Sequence, residues 1–199
     1  MATVTVKLDN LKKLKDTISR QAQRTVKVGV WSGASYPNGT PVAEVASYLN
    51  YGWMQNVTPD QRGWLGAHGV HVKVGSTLTM PPRPFFRDAI EAKRQDIAKV
   101  TEMAKAVLNN ITENTPQKIE KALRLLGTIG VEAVQDAIQD GFVGNVSFAI
   151  RSPMTMMLYG NLLESGNHKT DDTPNQSTSR KPLYKSGILA GSIMYEIEG

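Results

Sequence analysis

Two stretches of helical periodicity, set end to end between residues 84 and 140, constrain this chain more than any other feature. Phe86, Ile90, Ile97, Val100, Ala104, Val107 and Ile111 recur near the 3.6-residue period with charged side chains between them. That is the pattern of a helix that buries one face. Asn109 to Asn114 ends the first stripe, and Thr115-Pro116 opens a second by supplying a cap and a proline in the first turn, where its missing N–H costs nothing. Ile119, Leu123, Leu126, Gly130, Val134 and Ala137 carry this stripe to Gly141. The spacing predicts an antiparallel helix pair over 84–110 and 116–140, with Gly130 allowing close backbone approach.

Such a pair needs a surface to cover, and period-two alternation supplies one. Val4, Val6 and Leu8, then Val26, Val28 and Val30, then Val70, Val72 and Val74, and finally Ile193, Tyr195 and Ile197 each alternate with other side chains, as half-buried strands do. The prediction is an α+β fold: a small antiparallel sheet, drawn from 3–8, 25–31, 70–74 and 192–197, packed against a pair of long antiparallel helices, with long exposed loops. With 199 residues, 40% of them hydrophobic, the chain can build one sizeable core. A single domain over 1–199 follows, with extended loops at about 53–82 and 164–180.

Shorter elements fill the gaps. Leu11, Leu14 and Ile18 predict a helix after the first strand, and Thr40-Pro41 starts another, striped by Val42, Val45, Ala46 and Leu49, that stops at Tyr51-Gly52. Val146, Phe148 and Ile150 alternate before Pro153, and Met154, Met156 and Met157 form an adaptable apolar surface. From Glu164 to Arg180 there is no aliphatic side chain and no Phe, Trp or Tyr. That segment cannot bury enough apolar area to offset its ordering entropy, so it reads as a loop.

Catalytic chemistry finds little to build on. There is no cysteine, which removes disulfides, thiolate metal sites and cysteine nucleophiles. His68 and His71 are the only close histidine pair, at a spacing unlike the helical zinc motif and with Gly69 between them. Gly187 to Gly191 lacks the Gly-Lys-Ser/Thr of a phosphate loop, Ser32 and Ser35 have no nucleophile elbow, and Asp171-Asp172 lies in the polar loop. The sequence predicts no enzyme, no cofactor and no metal. Met1 to Lys7 lacks a basic-then-apolar leader layout, and no apolar run approaches the length of a membrane span, so a soluble protein made in the cytoplasm is expected.

Charge leaves one alternative open. The net charge is +5, with basic clusters at Lys12, Lys13, Lys15 and Arg20 and at Arg83, Arg87, Lys93 and Arg94. Such clusters are compatible with non-specific contact to DNA, although on helices they ordinarily form the solvated face.

Three blocks taken in order resemble a family. Val42 to Gly52 is a short helix ending in Tyr-Gly; Pro81-Pro82-Arg83-Pro84-Phe85-Phe86 precedes a long helix; Lys181-Pro182-Leu183 leads through Ser186-Gly187-Ile188-Leu189 to Ser192-Ile193. Their order and spacing resemble the tail-completion and neck proteins of tailed bacteriophages, the phage virion morphogenesis or minor tail protein type. The chain departs from that pattern at Asn50, where an acidic residue is common, and at Ser186, where threonine is common. Phe142 to Tyr159 matches it poorly.

The resemblance implies a noncatalytic virion component at the head-to-tail junction, assembled in the host cytoplasm as a homo-oligomeric ring against other neck, connector or tail-tube proteins. A tail terminator capping the tube is the adjacent alternative, and a basic DNA-binding accessory protein touching DNA in the lumen is the alternative of another class. The side chains expected to meet a neighbour are Arg83, Phe85 and Arg87 around the proline segment and Lys181, Leu183, Tyr184 and Leu189 in the last block. Phe86 is expected to anchor the long helix.

Overall fold

The computed structural model describes residues 16, 19–21, 23–110, 112, 114–164, 183 and 187–199. The fold is α+β with small antiparallel sheets. In chain order the described elements are β1 (Thr25–Val30), α1 (Val42–Tyr51), β2 (Trp53–Asn56), α2 (Pro59–Ala67), β3 (Thr77–Met80), α3 (Phe85–Ala92), α4 (Arg94–Asn109) and α5 (Thr115–Asp140). They continue with β4 (Phe142–Val143), β5 (Val146–Ser147), α6 (Pro153–Glu164), α7 (Ile188–Gly191) and β6 (Ile193–Glu198). The chain forms two compact units, one of Met1–Gly29, Ile90–Ala133 and Met194–Gly199, the other of Val30–Ala89 and Val134–Ile193.

In the first unit β1 pairs with β6, so the last strand closes on the first described one. Lys27 Nζ meets a Glu198 carboxylate oxygen at 2.6 Å, while just past the other end of the strand, in residues that belong to the second unit, Trp31 N–H donates to Ser192 O at 3.1 Å. Those two ties set the strands in opposite directions. The helix α5 lies against this ribbon through glycines: a Cβ on Gly127 would overlap Cγ and Cδ2 of Tyr195, and one on Gly130 would come 2.7 Å from Val28 Cγ2 and 3.5 Å from Ile90 Cδ1. Gly130 thus does admit close approach, and the neighbour it admits is strand β1 as well as the end of α3.

Glu120 on α5 accepts from both Arg24 and Arg124. The hydrogen bond from Arg24 is the largest influence on its carboxyl, and with Arg124 it holds the group below its ordinary 4.5 despite an opposing desolvation. A carboxylate with a depressed folded-state pKa adds stability that is present above its unfolded value and fades as pH falls through the folded one. The melting temperature of Glu120→Gln should therefore lie below that of the parent at pH 7, and the gap should close as pH is taken down through the acid range. A gap that is constant with pH would show that the carboxylate charge is not what Arg24 reads.

In the second unit Val42, Phe85, Val134 and Ile138 are the fully enclosed large side chains. Strands β2 and β3 pair antiparallel in a register running from Trp53↔Met80 to Asn56↔Thr77. Between them α2 carries a reciprocal cap: Thr58 Oγ1 accepts from Gln61 N–H, and Gln61 Oε1 accepts from Thr58 N–H, with Pro59 in the first turn. The loop at 53–82, expected to pair partly as a hairpin, is a hairpin with an inserted helix, and its strands are β2 and β3 and not 70–74. Val70 is instead buried, its N–H donating to Leu65 O at 2.8 Å just past the end of α2.

Four other expectations are revised. The helix predicted over 84–110 breaks at Lys93 into α3 and α4, with Lys93 N–H bonded back to Ile90 O in a tightened turn. Residues 146–150 give only a two-residue ladder, β4 with β5, closed around Gly144 at φ 56°. The methionine segment is helical as α6, with Ser152 Oγ accepting from Thr155 N–H at its start. Helix α1 begins at Val42, one residue after Pro41 takes the cap position, with no side-chain cap. The strand expected at 3–8 and most of the loop at 164–180 lie outside the described residues, as does most of the helix that follows that strand.

Candidate functional site

The described residues of the three sequence blocks that carry the resemblance converge in the second unit. Helix α1 ends at Gly52, whose φ of 73° is open only to glycine at low cost. A Cβ there would meet Met80 O at 2.6 Å and Pro82 N at 2.8 Å, so the helix end rests directly on the proline segment. The segment is then tied back to α1 twice, by Arg83 N–H donating to Leu49 O at 2.9 Å and Phe86 N–H donating to Asn50 Oδ1 at 3.3 Å. The third block joins through α7, which follows Gly187 in a left-handed conformation and packs against α1. Gln135 Nε2 holds it further by donating to Ala190 O at 3.1 Å.

Arg83 is the chemical centre of this assembly. Its side chain is only 4% exposed, and its Nε donates to Ala149 O at 2.7 Å while Nη2 donates to Ile150 O at 3.3 Å. Burial, together with the nearby Arg151, pushes its guanidinium below the usual range. Among the described residues no carboxylate pairs with it. The cation is thus held by backbone carbonyls, and it staples the proline segment to the strand-like stretch before α6.

Phe85 is fully enclosed, and Leu183 and Leu189 are buried as well. These side chains and Arg83, expected to face a neighbour, instead fill the interior of the chain and present no docking surface of their own. The backbone ties from Arg83 N–H to Leu49 O and from Phe86 N–H to Asn50 Oδ1 hold the segment so that Phe85, and not Phe86, is enclosed, while Phe86 is half-buried beside α1. Arg87 is exposed, with Nε donating to Asp88 Oδ1 at 3.0 Å. Lys181 and Tyr184 lie outside the described residues.

What this corner does present is a shallow apolar groove of about 260 Å³, walled by Ala43, Ser47 and Tyr51 of α1 and by Phe86, with the Asn50 amide at its base. Tyr51 stands 78% exposed at its rim. Asn50 was legible only as a departure from the family pattern, and a polar residue at an otherwise apolar stripe position was the available signal. Its replacement by alanine should cost about 1–2 kcal/mol by leaving the first turn of α3 without its side-chain acceptor, whereas Asn50→Asp should keep the cap. Urea unfolding of the two variants checks this, and equal losses would show that the cap contributes nothing.

Chemistry elsewhere is sparse. His68 stacks on Trp64 with centroids 4.2 Å apart and its Nδ1–H donates to Trp64 O at 2.8 Å, while His71 is exposed. Among the described residues no group of three or more His, Cys, Asp or Glu is placed to hold a metal ion, and no helix is long and apolar enough to cross a membrane. Comparison with protein-family models, with curated proteins and with solved structures found no match.

Proposed function

We propose that this chain is a noncatalytic structural component of a tailed-phage virion, acting at the junction of head and tail as a homo-oligomeric ring. One observation carries the reading: the blocks 42–52, 81–86 and 187–193, far apart in sequence, are joined by backbone and side-chain ties into one corner of the fold. The groove beside Tyr51 and Phe86 suits an apolar side chain from an adjoining neck, connector or tail-tube protein, and nothing about it suits bond-making.

The test is loss of the protein from the assembling particle, read by negative-stain imaging. Full heads and finished tails lying separate would support the joining role, and supplying the intact chain should reunite them. Overlong tails would move the assignment to the terminator position. Normal infectious particles would sink both.

A further inference from the structure

The exposed face of α5 has a charge pattern that no described residue of the chain pairs with. Lys118, Lys121, Leu125, Thr128, Glu132 and Asp136 follow one another at spacings of three or four residues, and all six are exposed, Leu125 to 44%. They therefore line a single face of one continuous helix, over roughly 27 Å at 1.5 Å per residue. The first two are cations, the last two are anions, and the middle is a leucine and a threonine.

Within the chain this order is unfavourable. Like charges sit at neighbouring turns, where they repel, and Lys118 lies in the first turn, at the positive end of the helix dipole. Among the described residues none of the four charged groups takes part in an ion pair or a side-chain hydrogen bond. The charges around α4 contrast with this: Glu91 with Arg94, Asp96 with Lys99 and Glu102 with Lys105 are each paired three residues apart. Nor is the pattern that of a nucleic-acid face, because Glu132 and Asp136 would repel phosphate over half its length.

The same order is self-complementary when two copies run antiparallel. We infer that this face of α5 docks on the same face of a second copy about a two-fold axis passing near Leu126 and Gly127 in sequence. In that register Lys118 faces Asp136 of the second copy, Lys121 faces Glu132, and Leu125 meets Thr128, with each pairing made twice by symmetry. The charges set direction and register, and Leu125 supplies the apolar centre. The inference stands on one helix face and not on the neck reading, so either can fail without the other.

Sedimentation velocity of the intact chain tests it, with three samples. The parent should self-associate between roughly 10 and 500 µM at about 50 mM salt and lose that association near 0.5 M salt, where surface pairs are screened. The acidic-face variant Lys118→Glu/Lys121→Glu and the basic-face variant Glu132→Lys/Asp136→Lys should each associate at least tenfold more weakly, because each brings like charges together. Mixed in equal amounts they should recover, since an all-acidic face then meets an all-basic one. All four positions are exposed, so both variants should keep the parent's circular dichroism and melt no lower than the parent. A parent that stays monomeric throughout, either variant associating alone as the parent does, or a mixture no stronger than its components would each overturn the proposal.

Discussion

Replacing Gly127 with alanine should destabilise the protein by about 2 kcal/mol, although a glycine-to-alanine change inside a helix ordinarily stabilises by roughly 0.5–1 kcal/mol. The sign reverses because of where the added carbon goes. A Cβ at 127 would overlap Cγ and Cδ2 of Tyr195 in β6, atoms at the root of a ring that cannot swing aside without moving the strand. Overpacking of that kind costs about 1–3 kcal/mol or more, which outweighs the propensity gain. For a chain of this length the melting temperature should fall by roughly 4–8 °C.

Two further variants isolate the cause. Gly63→Ala, on α2 where nothing lies within 4 Å of the added carbon, should be neutral or stabilising by up to about 1 kcal/mol. The double variant Gly127→Ala/Tyr195→Val should lose less than the sum of its parts, since the valine frees the space that the methyl needs. Strict additivity in that pair would mean that α5 and β6 do not meet at Gly127.

How far such contacts could be read from sequence depends on which signal each element carried. The stripe ending in Val134 and Ala137 was long and regular, so α5 emerged with its ends nearly right; β1 and β6 were equally plain from alternation. Helix α2 was missed even though Thr58-Pro59 repeats the start signal of Thr115-Pro116. Its nine residues offer only Trp64 and Leu65 as large apolar side chains and include Gly63 and Gly66, so no stripe followed the cap. Helix α6 was missed for the complementary reason: Ser152-Pro153 is the same start signal, but the proline was read as the end of an alternating run. The run Val70, Val72, Val74 had true alternation and no partner strand, and alternation alone does not create a ladder. At the site, the three prolines read as fixing an extended approach to the helix, while the side to which Phe85 and Phe86 point is set by tertiary ties from Leu49 and Asn50 that no local pattern encodes.

Arg83→Ala should lower stability by about 3–4 kcal/mol in urea unfolding. Two effects compete in that figure. Removing a buried cation that no described carboxylate pairs with relieves a desolvation cost, which is why buried charges can be exchanged for apolar groups with little loss. Against this stand charge-assisted hydrogen bonds to Ala149 O and Ile150 O, worth about 1.5–3 kcal/mol each, and the cavity left by an enclosed stem. The second set should win in Arg83→Ala because it forfeits both bonds and volume. Arg83→Met keeps most of the volume and removes the charge, and because Ala149 and Ile150 are exposed their carbonyls can turn to water, so its loss should be only about 1–2 kcal/mol. Arg83→Lys keeps charge but not the planar fork that reaches two successive carbonyls, and should fall between the two. The ranking Ala, then Lys, then Met, from most to least damaging, identifies Arg83 as an internal staple. Were Arg83 a docking residue, as its place in the proline segment first suggested, all three variants would unfold like the parent and differ only in assembly.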